Sequence, residues 1–311
     1  MSCSSPTSLS AMLLLGAHVP TADPLGGAAE RHAEVVQIFL SSPRRWAGPS
    51  RPRTDAAALR SAGLPIYVHS PYLLNLASAD VTVRERSRQL LAETCTAAAA
   101  VAARGVVVHG GQLGAGEDPS LGAARWRESL AGLDTEVAIL IEDTAGGPHA
   151  VASDLARVER LWRALEDLDI PLGFCLDTCH LHAAGEELVA GTQRLLDIVG
   201  RIDLVHVNDS KDPCGSGRDR HENLGAGTIP AEALVASIQL AGAPAVVETP
   251  GGATQQAEDI AWLRARLRDD HGRADTAITH APREAPLARG DRPRPEPDLR
   301  PTGSAIARGS A

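Results

Sequence analysis

The sequence holds a single lysine, Lys211, so its basic character comes almost wholly from arginine. Positive charge is short overall: the formal net charge is −9, which argues against a protein that coats nucleic acid non-specifically. A nucleic-acid enzyme is still admissible, because bound divalent cations reverse the local field. No apolar run approaches the roughly 18 residues that a membrane span needs, so no membrane partner is expected. Cysteine is scarce too. Five thiols (Cys3, Cys95, Cys175, Cys179 and Cys214) in 311 residues make no disulfide framework, which points to a reducing cytoplasm. The opening stretch MSCSSPTSLSAMLLLGAHVP lacks a basic leader and a convincing cleavage site, so no signal peptide is expected. Missing as well is a Gly-rich phosphate turn after an early strand, the mark of a doubly wound open sheet.

What is present is a rhythm. Short β-rich runs recur at LLLGAHV, VVQIFL, IYVHS, GVVVHGG, AILIEDT, LGFCLDT, DLVHVNDS and AVVETPG. Between them lie segments of helical spacing, such as Arg84 to Arg104 and Asp154 to Asp167. Eight strand–helix alternations in about 260 residues match the size of a (β/α)8 barrel, with the open sheet as the alternative. The barrel is expected to fill residues 1–275, after a short N-terminal extension (1–11), and to close with a helix ending near Leu267. Residues 276–311 are rich in proline, arginine and glycine without apolar periodicity, and read as a disordered tail rather than a nucleic-acid-contacting arm.

In a parallel barrel the strand C-termini share one face, where the chemistry sits. These strand ends carry His18, His69, His109, Glu142, Asp177, His206 and Glu248. His180 follows in the loop after the sixth strand, and Asp219 and His221 in the loop after the seventh. Taken singly, each has a bland reading as a hydrogen-bonded core histidine or a capping acid. Six histidines and four acids on one rim are not independent accidents. A buried strand has little use for a carboxylate at its end unless the group is paired or bound to a metal. Histidine with carboxylate suits zinc or manganese, and Cys175 and Cys179 read as packing residues. A lone ion takes about four to six ligands, so ten groups suit a cluster of three, even if one is not a ligand. Clustered cations serve phosphodiester hydrolysis, where one activates a water and others neutralise the phosphate and the departing oxygen.

The motifs GAHV, HSPYLLNLAS, VVVHGG, IEDTAGG, CLDTCHLHAAG, HVNDSKDPCGSGRDRHENLGAGTI and VVETPGG, from about Leu14 to Leu267, resemble endonuclease IV, the apurinic/apyrimidinic (AP) endonuclease family of base-excision repair. The resemblance implies a xylose-isomerase-like (β/α)8 TIM barrel of the α/β class, monomeric, with three zinc ions, one site being open to manganese. His69, His109 and Glu142 would hold one ion. Glu142 would bridge to a second, completed by Asp177, His206 and Glu248. His180, Asp219 and His221 would hold the third. His18 and His182 match no ligand position. The family cleaves double-stranded DNA on the 5′ side of an abasic site, leaving a 3′-hydroxyl and a 5′-deoxyribose phosphate, and trims blocked 3′ ends. Glu142 and Glu248 would be catalytic as well as ligating, Glu248 by orienting or deprotonating the attacking water. Tyr72 and Leu73 match the family's apolar wedge, and Arg44 a residue inserted from the minor groove.

Three departures bear on DNA contact and rate. Asp143 stands where the family has asparagine, and an ionised aspartate there would only accept hydrogen bonds and add negative charge. Gly110 and Gly111 follow His109 where many relatives carry Pro-Gly-Ser, and HVPTADPLGG replaces the commoner His-Val-Ser start. The rival readings are a sugar isomerase or epimerase on a related barrel, which has no need of a third metal site, and a catalytically silent DNA-damage binding protein.

Overall fold

Strand sequences that are buried on both faces run as near-continuous β-branched and aliphatic stretches, and eight such stretches here form one closed parallel barrel. The computed structural model describes residues 13–49 and 52–279, with side chains as far as residue 268. The barrel strands are β1 (Leu15–His18), β2 (Val35–Phe39), β3 (Ile66–His69), β4 (Gly105–His109), β5 (Ala138–Glu142), β6 (Leu172–Asp177) and β7 (Leu204–His206). A small antiparallel pair, β8 (Asp209–Ser210) and β9 (His221–Glu222), precedes the last barrel strand, β10 (Ala245–Val247), which pairs with both β7 and β1. All eight runs read from the sequence are barrel strands, and the open-sheet alternative falls.

The helices are α1 (Pro24–Arg31), α2 (Ala56–Ser61), α3 (Val81–Ala100), α4 (Pro119–Leu130), α5 (Leu155–Leu165), α6 (Thr178–Ala183), α7 (Leu188–Val199), α8 (Ala231–Ala241) and α9 (Ala253–Thr279). Acidic side chains start six of these: Asp23, Asp80, Asp118, Asp154, Asp177 and Glu187 each accept a hydrogen bond from an otherwise orphaned first-turn N–H. Their apolar faces cover the outside of the barrel, where Trp126, Leu161, Leu195, Leu234 and Ile260 are fully buried. Trp126 also donates its indole N–H to the Gly110 carbonyl at 2.8 Å, tying α4 to the end of β4. Truncation of Trp126 to alanine is expected to cost about 3–5 kcal/mol through the cavity it leaves.

By their contacts the residues divide into Met1–His271, which contains the barrel, and Gly272–Ala311. The described part of the second is the end of α9. Its backbone stays helical to Thr279, past the Leu267 at which the sequence pattern ended it, and no proline interrupts the chain between Pro250 and Pro282. The N-terminal extension (1–11) and the expected tail from residue 280 onward lie outside the described residues. No helix among the described residues is long and apolar enough to cross a membrane.

Candidate metal centre

Alternate residues of a strand face the same side, so the inside of the barrel is built in layers. One layer is an apolar cluster of Val35, Tyr67, Val107, Leu140, Cys175, Leu204 and Val246. Two residues further along each strand, the same inward direction belongs to Gln37, His69, His109, Glu142, Asp177, His206 and Glu248. On β1 the pair is Gly16 and His18; a Cβ at Gly16 would lie 1.6 Å from the Val35 carbonyl oxygen, so only glycine fits there. Every strand therefore sends one polar side chain into the mouth of the barrel, directly above an apolar plug.

The nine sequence-predicted ligands converge in the three expected groups. Ligand atoms of His69, His109 and Glu142 lie within 4.8 Å of one another, as do those of Glu142, Asp177, His206 and Glu248, and those of His180, Asp219 and His221. Glu142 is common to two groups. Its Oε2 stands 3.3 Å from His69 Nε2 and 3.0 Å from His109 Nε2, while Oε1 is 3.0 Å from His206 Nδ1. His180 Nε2 is 3.3 Å from Asp219 Oδ2, and His221 Nε2 is 3.1 Å from Asp219 Oδ1.

The imidazoles are held from behind. His69 Nδ1 lies 2.7 Å from the Ser70 carbonyl, His180 Nδ1 2.9 Å from the Asp143 carbonyl and His221 Nδ1 3.3 Å from the Glu248 carbonyl. A carbonyl can only accept, so each Nδ1 carries a proton, and Nε2 is the nitrogen turned toward the cluster, able to bind a metal once it is deprotonated. His206 is reversed. Its Nε2 lies 2.8 Å from Gln37 Oε1, and its Nδ1 faces the carboxylates. A metal-binding histidine is commonly fixed in this way through its second nitrogen. Glu142 Oε2 and His221 Nε2 are buried with no hydrogen-bond partner, although imidazole and carboxylate atoms stand nearby at unsuitable angles. Imidazole nitrogens and carboxylate oxygens that face one another this closely, without hydrogen-bond alignment, fit divalent cations between them.

Asp177 divides its two oxygens. Oδ1 caps α6 by accepting from Cys179 N at 2.7 Å and His180 N at 3.0 Å, which leaves Oδ2 directed at the cluster. Asn208 donates to that Oδ2 at 2.8 Å and accepts from Glu248 N at 2.9 Å, bracing two groups at once. Gln37 donates to Glu248 Oε1 at 2.6 Å, and His18 Nδ1 lies 3.1 Å from the same oxygen. Sequence reasoning missed Gln37 and Asn208 and left His18 without a role. The available signals were a glutamine inside an apolar strand and an asparagine beside a strand-end histidine.

Burial penalises the Glu142 and Glu248 carboxylates, yet the surrounding imidazoles outweigh it and hold both well below the usual range. Asp143 goes the other way. Burial pushes its pKa well up, with Asp177 and Glu142 adding repulsion against the pull of His180. Its Oδ1 accepts from Asp177 N at 2.7 Å, a role an asparagine amide oxygen would equally fill. Burial thus disfavours the ionised form of Asp143, which works against the added negative charge expected from sequence. Cys179 Sγ lies near Asp177 and His221, but burial pushes its thiol up to about 12, so it packs as a protonated group.

Two loops frame the mouth. Tyr72 is 49% exposed, stacks on His109 with ring centroids 5.7 Å apart, and meets His69 edge-on at 5.4 Å. Its backbone N–H donates to the Pro43 carbonyl at 2.9 Å, which ties this loop to the one bearing the exposed Arg44. Leu73 is half-buried beside it.

The closed barrel and its ring of polar strand ends define a xylose isomerase-like TIM barrel, and residues 28–266 match the family model of that description. Within that class, the chain is 52% identical over 255 residues to "Probable endonuclease 4" of Mycobacterium ulcerans, covering 82% of this chain and 99% of the relative. The protein of the same name from Mycobacterium leprae is 50% identical over 252 residues, covering 81% and 98%. Among solved structures, endonuclease IV from Thermus thermophilus superposes with a TM-score of 0.71 at 30% identity, covering 82% of this chain and 99% of that one. The chain belongs to the endonuclease IV family. A D-tagatose 3-epimerase-like protein superposes with a TM-score of 0.70 at 17% identity, covering 84% and 100%, and shares the fold alone.

Proposed function

We infer that this chain is an AP endonuclease of base-excision repair: a phosphodiester hydrolase that cuts duplex DNA 5′ to an abasic site, leaves a 3′-hydroxyl and a 5′-deoxyribose phosphate, and removes 3′-blocking groups. The observation that carries this reading is the set of three ligand groups, in which His69, His180, His206 and His221 are each held through one ring nitrogen with the other turned toward the carboxylates. His69, His109 and Glu142 would hold one zinc, Glu142, Asp177, His206 and Glu248 the second, and His180, Asp219 and His221 the third, with one site open to manganese. When bound, such ions lower the pKa of water and neutralise charge on the phosphate.

The chain's own groups do the rest. Glu248, held from one side by Gln37 and His18, orients the attacking water and accepts its proton. Glu142 spans two groups and fixes their separation. Tyr72 fills the gap left by the missing base, and Arg44 enters from the minor groove, offsetting the cost of bending and unstacking. Flipping costs least where a base is already absent, which makes the lesion itself the preferred substrate. The third group, His180 with Asp219 and His221, favours this reading over a sugar epimerase, whose chemistry has no use for it. The test is a duplex carrying one abasic analogue, incubated with and without chelator. A single incision 5′ to the lesion, lost with chelator and restored by zinc, is expected; an intact lesion strand under metal-replete conditions would sink the reading.

A further inference from the structure

Of the nine candidate ligands, Asp219 is the most exposed: its side chain is 53% accessible and it sits on the loop between β8 and β9, outside the barrel wall. Something must aim it. Its neighbours Arg218 and Arg220 both turn away from the cluster and converge on Asp212. Arg220 grips that carboxylate with two nitrogens, Nε donating to Oδ2 at 2.6 Å, and Arg218 Nη1 lies 3.5 Å from Oδ1. Arg218 and Arg220 thus reach Asp212, while Asp219 between them reaches His180 and His221, so the grip on the two flanking arginines holds 219 toward the cluster.

Asp212 can serve as an anchor because it is itself fixed. Its side chain is only 7% accessible, and its carbonyl oxygen accepts from Thr228 Oγ1 at 2.6 Å and Ser210 Oγ at 3.1 Å, with His182 Nε2 at 3.3 Å. The rest of the loop is docked on the helix that carries His180. Gly215 N donates to the His182 carbonyl at 3.0 Å and Gly217 N to the Ala183 carbonyl at 2.9 Å, both glycines having positive φ. One end of α6 thus presents His180, while its last carbonyls hold the loop that presents Asp219.

We propose that Asp212, through its clamp on Arg218 and Arg220, is a positioning residue that assembles the His180–Asp219–His221 metal site. The proposal rests on Asp219 being a ligand, and the experiment separates the two. Zinc per chain and its release to a colorimetric chelator, without DNA, are measured for wild type, Asp212→Ala, Asp212→Glu, the Arg218→Gln/Arg220→Gln double variant and Asp219→Ala, with circular dichroism to verify folding. Asp219→Ala should lose one ion; if it keeps the wild-type complement, the ligand reading itself fails. Asp212→Ala and the arginine double variant should each release one ion about tenfold or more faster than wild type, leaving the others unchanged, the usual scale for a residue that orients a ligand. Asp212→Glu should recover part of the loss. The arginines are exposed enough that their replacement leaves the barrel folded. Wild-type release from that folded double variant, alongside loss in Asp219→Ala, would overturn the clamp.

Discussion

Replacing Gln37 by leucine removes a side chain that touches no proposed metal directly yet meets two ligands. Gln37 is fully buried, accepts from His206 Nε2 at 2.8 Å and donates to Glu248 Oε1 at 2.6 Å. Leucine fills nearly the same volume, so cavity formation contributes little and the effect is polar. His206 keeps a buried N–H with no acceptor, which costs about 1–3 kcal/mol of folding stability in the metal-free protein. The neutral ring also loses the reason to carry its proton on Nε2, so the metal must compete for Nδ1. A lost orienting partner lowers metal affinity about 10–100-fold, and at about 1.4 kcal/mol per tenfold that is the same size as the folding penalty. Chemical denaturation of metal-free protein measures the first quantity, and zinc competition against a chelator of known affinity the second. If Gln37→Leu binds zinc within twofold of wild type, the glutamine does not orient His206.

Three further outcomes follow from the site. Glu248→Gln is expected to cut turnover by at least ~100-fold, the scale for losing a base or charge stabiliser, while binding to abasic DNA persists; wild-type cleavage would mean the hydrolytic centre lies elsewhere. Arg44→Ala and Tyr72→Ala should weaken lesion engagement, read by fluorescence from a base analogue opposite the lesion, without changing metal content, and unchanged binding in both would remove these residues from recognition. Metal loading should release protons. Burial opposes charge on His180 and His221, but Asp177 and Asp219 outweigh it, raising His180 well above the ordinary histidine range and His221 to about 9. His221 is therefore protonated at neutral pH without metal, with His180 pushed in the same direction, so zinc affinity rises with pH toward about 9 and falls on acidification. Calorimetric titration in buffers of different ionisation enthalpy checks this, and heats independent of buffer would contradict it.

The barrel was legible because its strands are buried on both faces and read as unbroken apolar runs, each ended by a polar side chain. The ligands were legible for the same reason: His69, His109, Glu142, Asp177, His206 and Glu248 each fall two residues after an inward apolar position on their strand. Applied to Val35, the same period leads to Gln37, which a search confined to strand ends passes over because β2 continues to Phe39. Asn208 escaped because its two contacts, to Asp177 and Glu248, join strands far apart in the chain. The upward push on the Asp143 carboxyl could not be read from residue type, since it comes from burial, with Asp177 and Glu142 adding to it. Asp212 shows the same limit: one acid in a loop of mixed charges looks solvated until the fold closes two arginines over it.

The number of metal ions held by the strand-end cluster is the most direct test of the three-ion centre. Protein purified without chelator, folded and active on abasic duplex, should contain about three zinc ions per chain by elemental analysis, with manganese able to replace one. A value near one in fully active protein would contradict it.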